Sequence, residues 1–208
     1  MTRHSQFRVD NRRAAVADEA ARIIQEEGLA NFRSAKEKAA ERLGLATGGT
    51  RLPSNEEIDQ ALAERNRIFR GADHPALLAE LRRAAVTIMH VLELHHARLV
   101  GPVLNGTATD FSAIDLHLFS DLPETIGVTL DALGCEHHST QLRHQFRRGE
   151  AEPFPGYRFR TLDFDCTATV FSIKQRRRSP LSPIDGKPMS RAGIQEVEAL
   201  LGRGCSGE

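Results

Sequence analysis

Three residues in the middle of the chain have side chains and spacing suited to holding phosphate and a divalent cation. Gly106 and Thr107 follow an apolar run and form a glycine-hydroxyl pair. A glycine lets the backbone approach a ligand closely, and the adjacent N–H and O–H groups are donors to phosphate. Asp115 follows in a second apolar segment, where a carboxylate can hold a cation such as Mg²⁺ against that phosphate.

Two strands and a turn are predicted to position these residues. The apolar run 99–104 predicts a short strand, and the Asn-Gly-Thr sequence at 105–107 predicts a polar turn. Residues 114–118 alternate between apolar and polar side chains, which is typical of a strand with one buried face. Asp115 and His117 are then expected on the polar face of this strand.

The stretch from Leu99 to Phe171 resembles the nucleotidyltransferase superfamily, whose fold carries a Gly-Ser/Thr motif and, some residues later, an Asp-x-Asp/Glu strand motif. The pair Gly106-Thr107 matches the first motif. In the preferred alignment, Ala113 replaces the first carboxylate of the second motif and only Asp115 survives. In the other alignment, His117 replaces the second carboxylate. Either way the metal motif is degenerate.

This resemblance implies roles for individual residues. It assigns phosphate binding to Gly106-Thr107, catalysis and metal binding to Asp115, and a second metal ligand to Asp165 on a late strand. His117, the other catalytic candidate, would orient a nucleophile or face solvent. The implied reaction is Mg²⁺-dependent transfer of a nucleotidyl group from an NTP to an unidentified RNA or protein acceptor. The alternative is a catalytically degenerate module that acts in nucleotide binding or protein interaction.

A cationic run extends from Arg143 to Arg178. It contains nine arginines and lysines and four acidic residues, an excess of five positive charges. Arg158 and Arg160 are the candidates within it for phosphate binding, and the run as a whole is suited to triphosphate or an RNA-like substrate. The other interpretation is an exposed, solubilising loop, above all at 176–178.

The first 97 residues predict four helices. Gly28 is suited to end the first helix, and Ser34 and Ser54 each precede a glutamate by three residues, the spacing of a capping box. The segment around 36–45 also resembles a helix-turn-helix reader of DNA. Acidic residues on the same segments would repel DNA and favour a packing or dimerisation element.

The region after the proposed strand pair is less regular. Residues 135–146 form a polar segment whose Cys and His residues suggest zinc, but the sequence has no second Cys/His pair with matching spacing. Residues 149–156 predict a loop, because they contain two prolines and two glycines. The next two strands predict a hairpin that turns near Asp163, which is the alternative to Asp165 as the late carboxylate.

The combined prediction is an α+β fold in which an N-terminal helical segment packs on a small nucleotidyltransferase-like mixed β-sheet. The predicted domains are a helical segment at 1–97, a sheet domain at 98–175, and a C-terminal strap and helix at 176–208. A formal net charge of zero gives no global nucleic-acid signature. The lack of an apolar signal core, and of any apolar stretch of about 18 residues, predicts a cytoplasmic protein without membrane association. The oligomeric state is left open.

Overall fold

A computed structural model describes residues 3–29, 31–45 and 52–204. The chain divides into two compact units. The first contains the chain through His74 together with the short segments Thr109–Phe111 and Pro183–Asp185, and the second contains the remainder. None of the helices in the described part of the chain is both long and apolar enough to cross a membrane.

The first unit contains helices α1 (Arg3–Glu27), α2 (Phe32–Arg42) and α3 (Asn55–Phe69). Their apolar stripes bury a common core, as helical spacing of these residues predicts. Its fully buried members include Val16, Ala20, Ile23, Ala35 and Ile58.

The ends of these helices follow the local sequence signals. Gly28 follows α1 with φ +70°, a conformation suited to glycine. Ser54 and Glu57 form the predicted capping box at the start of α3. The predicted start of α2 is wrong by a few residues, because Asn31 is the N-cap and its side chain accepts a hydrogen bond from the Ser34 amide.

The second unit contains most of α4 and all of the sheet. Its elements are α4 (Asp73–Val91), β1 (Arg98–Val100), α5 (Gly101–Asn105), β2 (Ile114–Phe119), α6 (Glu124–Ala132), β3 (His137–Arg147), β4 (Glu150–Thr161), β5 (Phe164–Phe171) and α7 (Ile194–Gly204). A 3₁₀ turn at Ile173–Arg177 follows β5.

The five strands form one mixed sheet in the order β1-β2-β5-β4-β3. The central pair, β2 and β5, is parallel, and the other neighbours are antiparallel. The α+β fold class predicted from the sequence is confirmed. The hairpin of β4 and β5 turns at Leu162 and Asp163, as predicted.

The two faces of the sheet differ in chemistry. Ile114, Leu116 and Leu118 of β2 lie in a buried core with residues of α4 and α6. The alternating residues of β2, which include Asp115 and His117, therefore project from the other face. We call this second face the polar face. Because α4 shares its core with the sheet, the structural division lies near residue 74, whereas the sequence-based boundary lies at 97.

Two sequence-based element predictions are wrong. The apolar run 99–104 is a strand only through Val100, because Pro102 favours the first turn of a helix and α5 begins there. The predicted loop at 149–156 is part of β4. This half of β4 pairs with β3 alone, so Pro153 and Pro155 need not donate to a strand on the other side.

Candidate functional site

Four polar side chains form a row across the polar face. Asp115 of β2 lies directly opposite Thr167 of β5, Thr167 lies opposite Arg158 of β4, and Arg158 lies opposite His138 of β3. Side chains directly opposite each other on paired strands project to the same face, and neighbouring strands are about 4.8 Å apart. We call these four residues the polar row.

The polar row contains two charged groups without partners. Asp115 and Thr167 are partly buried, whereas Arg158 and His138 are exposed. Within the described residues, the side chains of Asp115 and Arg158 form no hydrogen bond or ion pair with the protein. Burial raises the pKa of the Asp115 carboxyl to about 7, because removal from water disfavours the charged form.

The Asp115 carboxyl lies against the backbone where α5 begins. A Cβ atom added to Gly101 would be 2.7 Å from Asp115 Oδ2, and Gly101 has φ +71°. The conformation favours glycine at this position, and any larger residue would have to displace the Asp115 carboxyl. Gly101 was not among the predicted site residues, although the Gly-Pro pair in the middle of the apolar run was the available signal.

Gly106 and Thr107 lie at the opposite end of α5. Their two amides donate to the same acceptor, the Pro102 carbonyl, at 2.8 and 3.0 Å. Gly106 has φ +89° and is the C-cap of the helix. The guanidinium of Arg82 covers the same end by donating to the carbonyl of Val103 at 3.1 Å. This arrangement closes a helix C-terminus, so neither amide is free for the predicted phosphate role.

His117 is on the polar face but is covered. It is 1% exposed, so the interpretation that it faces solvent is wrong. Its Nδ1 atom accepts a 2.9 Å hydrogen bond from Nε of Arg191. Its ring also packs edge-on against Phe171, at a centroid distance of 4.8 Å. Burial holds the pKa of His117 well below its usual value, so the ring is neutral and acts as an acceptor.

The structure places Asp165 next to Arg160 on the polar face. These residues are directly opposite on β5 and β4, and Arg160 Nη1 lies 4.0 Å from Asp165 Oδ1. The Asp165 side chain is 77% exposed. It is two residues before Thr167, the partner of Asp115, so the two carboxylates are not directly opposite each other. Asp163 lies in the exposed hairpin turn, with φ +65°.

The cationic run is divided by the fold. Arg158 and Arg160 project from the polar face, two residues apart on β4, and both are exposed. Arg143 lies five residues from His138 along β3 and therefore projects from the other face. Arg178 donates to the carbonyl of Phe146 and stacks on its ring. The run is therefore not one continuous anion-binding surface.

The residues around Asp115 fit a divalent-metal centre poorly. Position 113, where the resemblance predicts a carboxylate, is alanine, and Thr167 lies directly opposite Asp115. Asp165 is directed toward Arg160. The described residues contain no group of three or more His, Cys, Asp or Glu side chains arranged to hold a metal ion. The same finding applies to the zinc site suggested for residues 135–146. A lone carboxylate would leave most positions around Mg²⁺ to water.

Comparison of the chain with protein-family models, with curated proteins and with solved structures gives no match. Evidence for the function therefore comes from the geometry of the polar face. Among the predicted site residues, that geometry places Asp115, Arg158, Arg160 and Asp165 on one face of the sheet. Gly106 and Thr107 instead close the C-terminal end of α5, and Arg191 covers His117.

Proposed function

We propose that this chain is a nucleotidyltransferase-like module that binds a nucleoside phosphate on the polar face of its sheet, without dependence on a divalent metal. The observation that carries this proposal is the pair Arg158 and Arg160. Their guanidinium groups project from the face that also presents the unpartnered carboxyl of Asp115. A cationic pair beside a hydrogen-bonding acid is suited to a ligand with an anionic end and a polar neutral end.

The two arginines have the properties expected of phosphate ligands. Two residues along a strand correspond to about 6.7 Å, so both guanidinium groups can reach one phosphate chain. Each offers a planar fork of donors that matches phosphate oxygens. Arg158 has no protein partner within the described residues, and the exposed 4.0 Å pair of Arg160 with Asp165 is weak. Little interaction energy is therefore lost when a phosphate takes these donors.

Independence from metal follows from the donor set. Asp115 is a single carboxyl without a neighbouring carboxylate directly opposite it, since position 167 is a threonine. Its pKa of about 7 also means that a proton competes with any cation near neutral pH. We therefore assign phosphate neutralisation to Arg158 and Arg160.

The test is calorimetric titration of the full chain with ATP, GTP and AMP, in Mg²⁺ and in EDTA. We expect binding in both media and at least about tenfold weaker binding after Arg158→Ala combined with Arg160→Ala, because charge-assisted bonds to phosphate are lost. The matched control is Arg83→Ala, an exposed position on α4, which packs against the other face. Absence of nucleotide binding, or an equal loss in the control, would contradict the proposal.

Nucleotidyl transfer is the second candidate function. The observation that favours it is Asp115, an unpartnered carboxyl whose pKa of about 7 suits a general base at neutral pH. Asp115 would take the proton of an acceptor hydroxyl as its oxygen attacks the α-phosphorus and pyrophosphate leaves. Transfer of label from an α-labelled NTP to RNA or protein, abolished by Asp115→Ala, would establish this activity. Nucleotide binding without label transfer would contradict nucleotidyl transfer and support the nucleotide-binding module proposed first.

A further inference from the structure

We infer that this site selects ribonucleotides: Asp115 and Thr167 bind the ribose hydroxyls while Arg158 holds the phosphate. The inference rests on the proposed nucleoside-phosphate function and names the substrate class of the same site. It uses three members of the polar row that lie in line on adjacent strands.

The order of groups along the polar row fits a ribonucleotide from end to end. Asp115 and Arg158 are separated by two strand spacings, about 10 Å between backbones. A carboxylate at one end requires hydrogen-bond donors, and a guanidinium at the other requires an anion. Thr167, between them, both donates and accepts. A ribonucleoside phosphate presents a pair of hydroxyl donors and a phosphate in this order.

The carboxyl of Asp115 packs close to the backbone at Gly101. A Cβ added to Gly101 would be 2.7 Å from Oδ2, so this side of the carboxyl has no room for a ligand and the other side is where hydroxyls would bind. No protein donor satisfies the carboxyl within the described residues, so hydroxyls of a ligand would be its first strong partners. A partly buried acceptor that is left unpaired carries a free-energy cost, so a ligand without the hydroxyl is disfavoured.

The same arrangement fixes the direction of the ligand. A phosphate placed at Asp115 would meet a carboxylate, whereas at Arg158 it meets a free guanidinium. A nucleotide bound in the reverse direction would place its phosphate against the Asp115 carboxylate, where the two negative charges repel. The guanidinium of Arg158 would then have no anion to bind. The carboxylate thus contributes by repulsion as well as by hydrogen bonding.

The decisive experiment compares AMP, 2′-deoxy-AMP and inorganic phosphate by calorimetry, in EDTA at pH 8, where Asp115 is mostly ionised. We expect AMP to bind at least about tenfold more tightly than 2′-deoxy-AMP, since a lost hydrogen bond to a charged acceptor has this effect. Asp115→Ala is expected to bind the two nucleotides equally. Asp115→Asn, which keeps an acceptor oxygen, is expected to retain part of the preference, and Thr167→Val to weaken it.

The outcomes separate this inference from the proposed function. Equal binding of AMP and 2′-deoxy-AMP by the unaltered protein would overturn ribose selection but leave nucleotide binding intact. Tighter binding of both nucleotides by Asp115→Ala, by one common factor, would show that the carboxylate only repels phosphate and would also overturn it. Failure of every nucleotide to bind would overturn both proposals. Circular dichroism of each variant would verify that it is folded.

Discussion

The Nε atom of Arg191 donates a 2.9 Å hydrogen bond to Nδ1 of the buried His117, which joins the C-terminal segment to β2. Nη1 of the same guanidinium donates to the Arg178 carbonyl at 3.0 Å. Its carbon lies 5.0 and 5.2 Å from the ring centroids of Phe119 and Phe171. One side chain therefore connects β2, the segment after β5 and an aromatic cluster on the polar face.

Arg191→Ala is expected to lower the free energy of unfolding by roughly 2–4 kcal/mol, because it leaves Nδ1 of the buried His117 without its donor and removes the packing of a large side chain on Phe119 and Phe171. Urea denaturation followed by circular dichroism measures this loss. Arg191→Lys is expected to recover little of it, since an ammonium cannot reproduce the planar fork. The matched control is Arg176→Ala, at an exposed position, with a change of less than about 0.5 kcal/mol. Equal effects at 176 and 191 would contradict the connecting role.

Gly101→Ala is expected to destabilise the protein more than Gly134→Ala. Both glycines have φ near +70°, so alanine costs about 1 kcal/mol of backbone energy at either site. Only at Gly101 would the new Cβ collide with a neighbour, the Asp115 carboxyl, whereas no atom lies within 4 Å at Gly134. The difference in urea midpoint between the two variants isolates the contact. When both glycine variants are made in an Asp115→Ala background, this difference is expected to shrink; an unchanged difference there would contradict the assigned contact.

Asp115→Asn is expected to stabilise the protein at high pH. Burial raises the folded-state pKa from 3.8 to about 7, so the native state binds the proton more tightly than the unfolded chain. The contribution of Asp115 to the free energy of unfolding is therefore fully present below pH 4 and is lost as the pH rises toward 7, a loss that the neutral amide avoids. We expect a gain of roughly 2 kcal/mol at pH 8 and little at pH 4, from urea denaturation at both values.

The control for this pH dependence is Asp165→Asn, because the Asp165 side chain is 77% exposed. The effect of Asp165→Asn on the free energy of unfolding is expected to be less than about 0.5 kcal/mol, because an exposed side chain has few contacts to lose. A pH-independent effect of Asp115→Asn would show that the carboxyl at 115 ionises freely in the folded state.

Gly156→Ala tests the close approach of β4 to β5. A Cβ at this position would be 2.7 Å from the backbone oxygen of Ala168 and 2.8 Å from Cδ1 of Leu142. A strand backbone cannot move aside as a flexible side chain can, so we expect a loss of about 2–3 kcal/mol. Gly149→Ala is the control, because its surroundings are open and only its φ of +83° opposes alanine. Thermal unfolding compares the two, and a smaller loss at 156 than at 149 would contradict the predicted clash.

The sequence predicted those elements that local chemistry determines. The capping box of Ser54 and Glu57 and the β4–β5 hairpin depend on residues close in the chain, and both are present. The failures depend on tertiary context. The apolar residues Val103 and Leu104 suit a strand or a buried helix equally well. Pro102 favours the helix, because proline is well tolerated in a first helical turn. The path of β4 through Pro153 depends on the absence of β5 beside that half of the strand.

The candidate site was only partly accessible to sequence reasoning. Asp115 and Arg158 were identified by type, but their alignment through Thr167 depends on the registers of two strand pairs. The Gly106-Thr107 pair matched a local motif, yet its amides are engaged at a helix end. Arg191 contacts a residue 74 positions away, a relation that single-sequence patterns do not encode.

The parallel pairing of β2 with β5 has a consequence for the order of folding. The β4–β5 hairpin can form from neighbouring segments, but β2 and β5 are separated by α6, β3 and β4. Closure of such a long loop carries an entropic cost that local pairing does not, so we expect the hairpin to form first and the central pair afterwards. Asp115 and Arg158 are therefore aligned on either side of Thr167 late in folding, and a ligand that bridges them would slow the separation of β2 from β5 during unfolding.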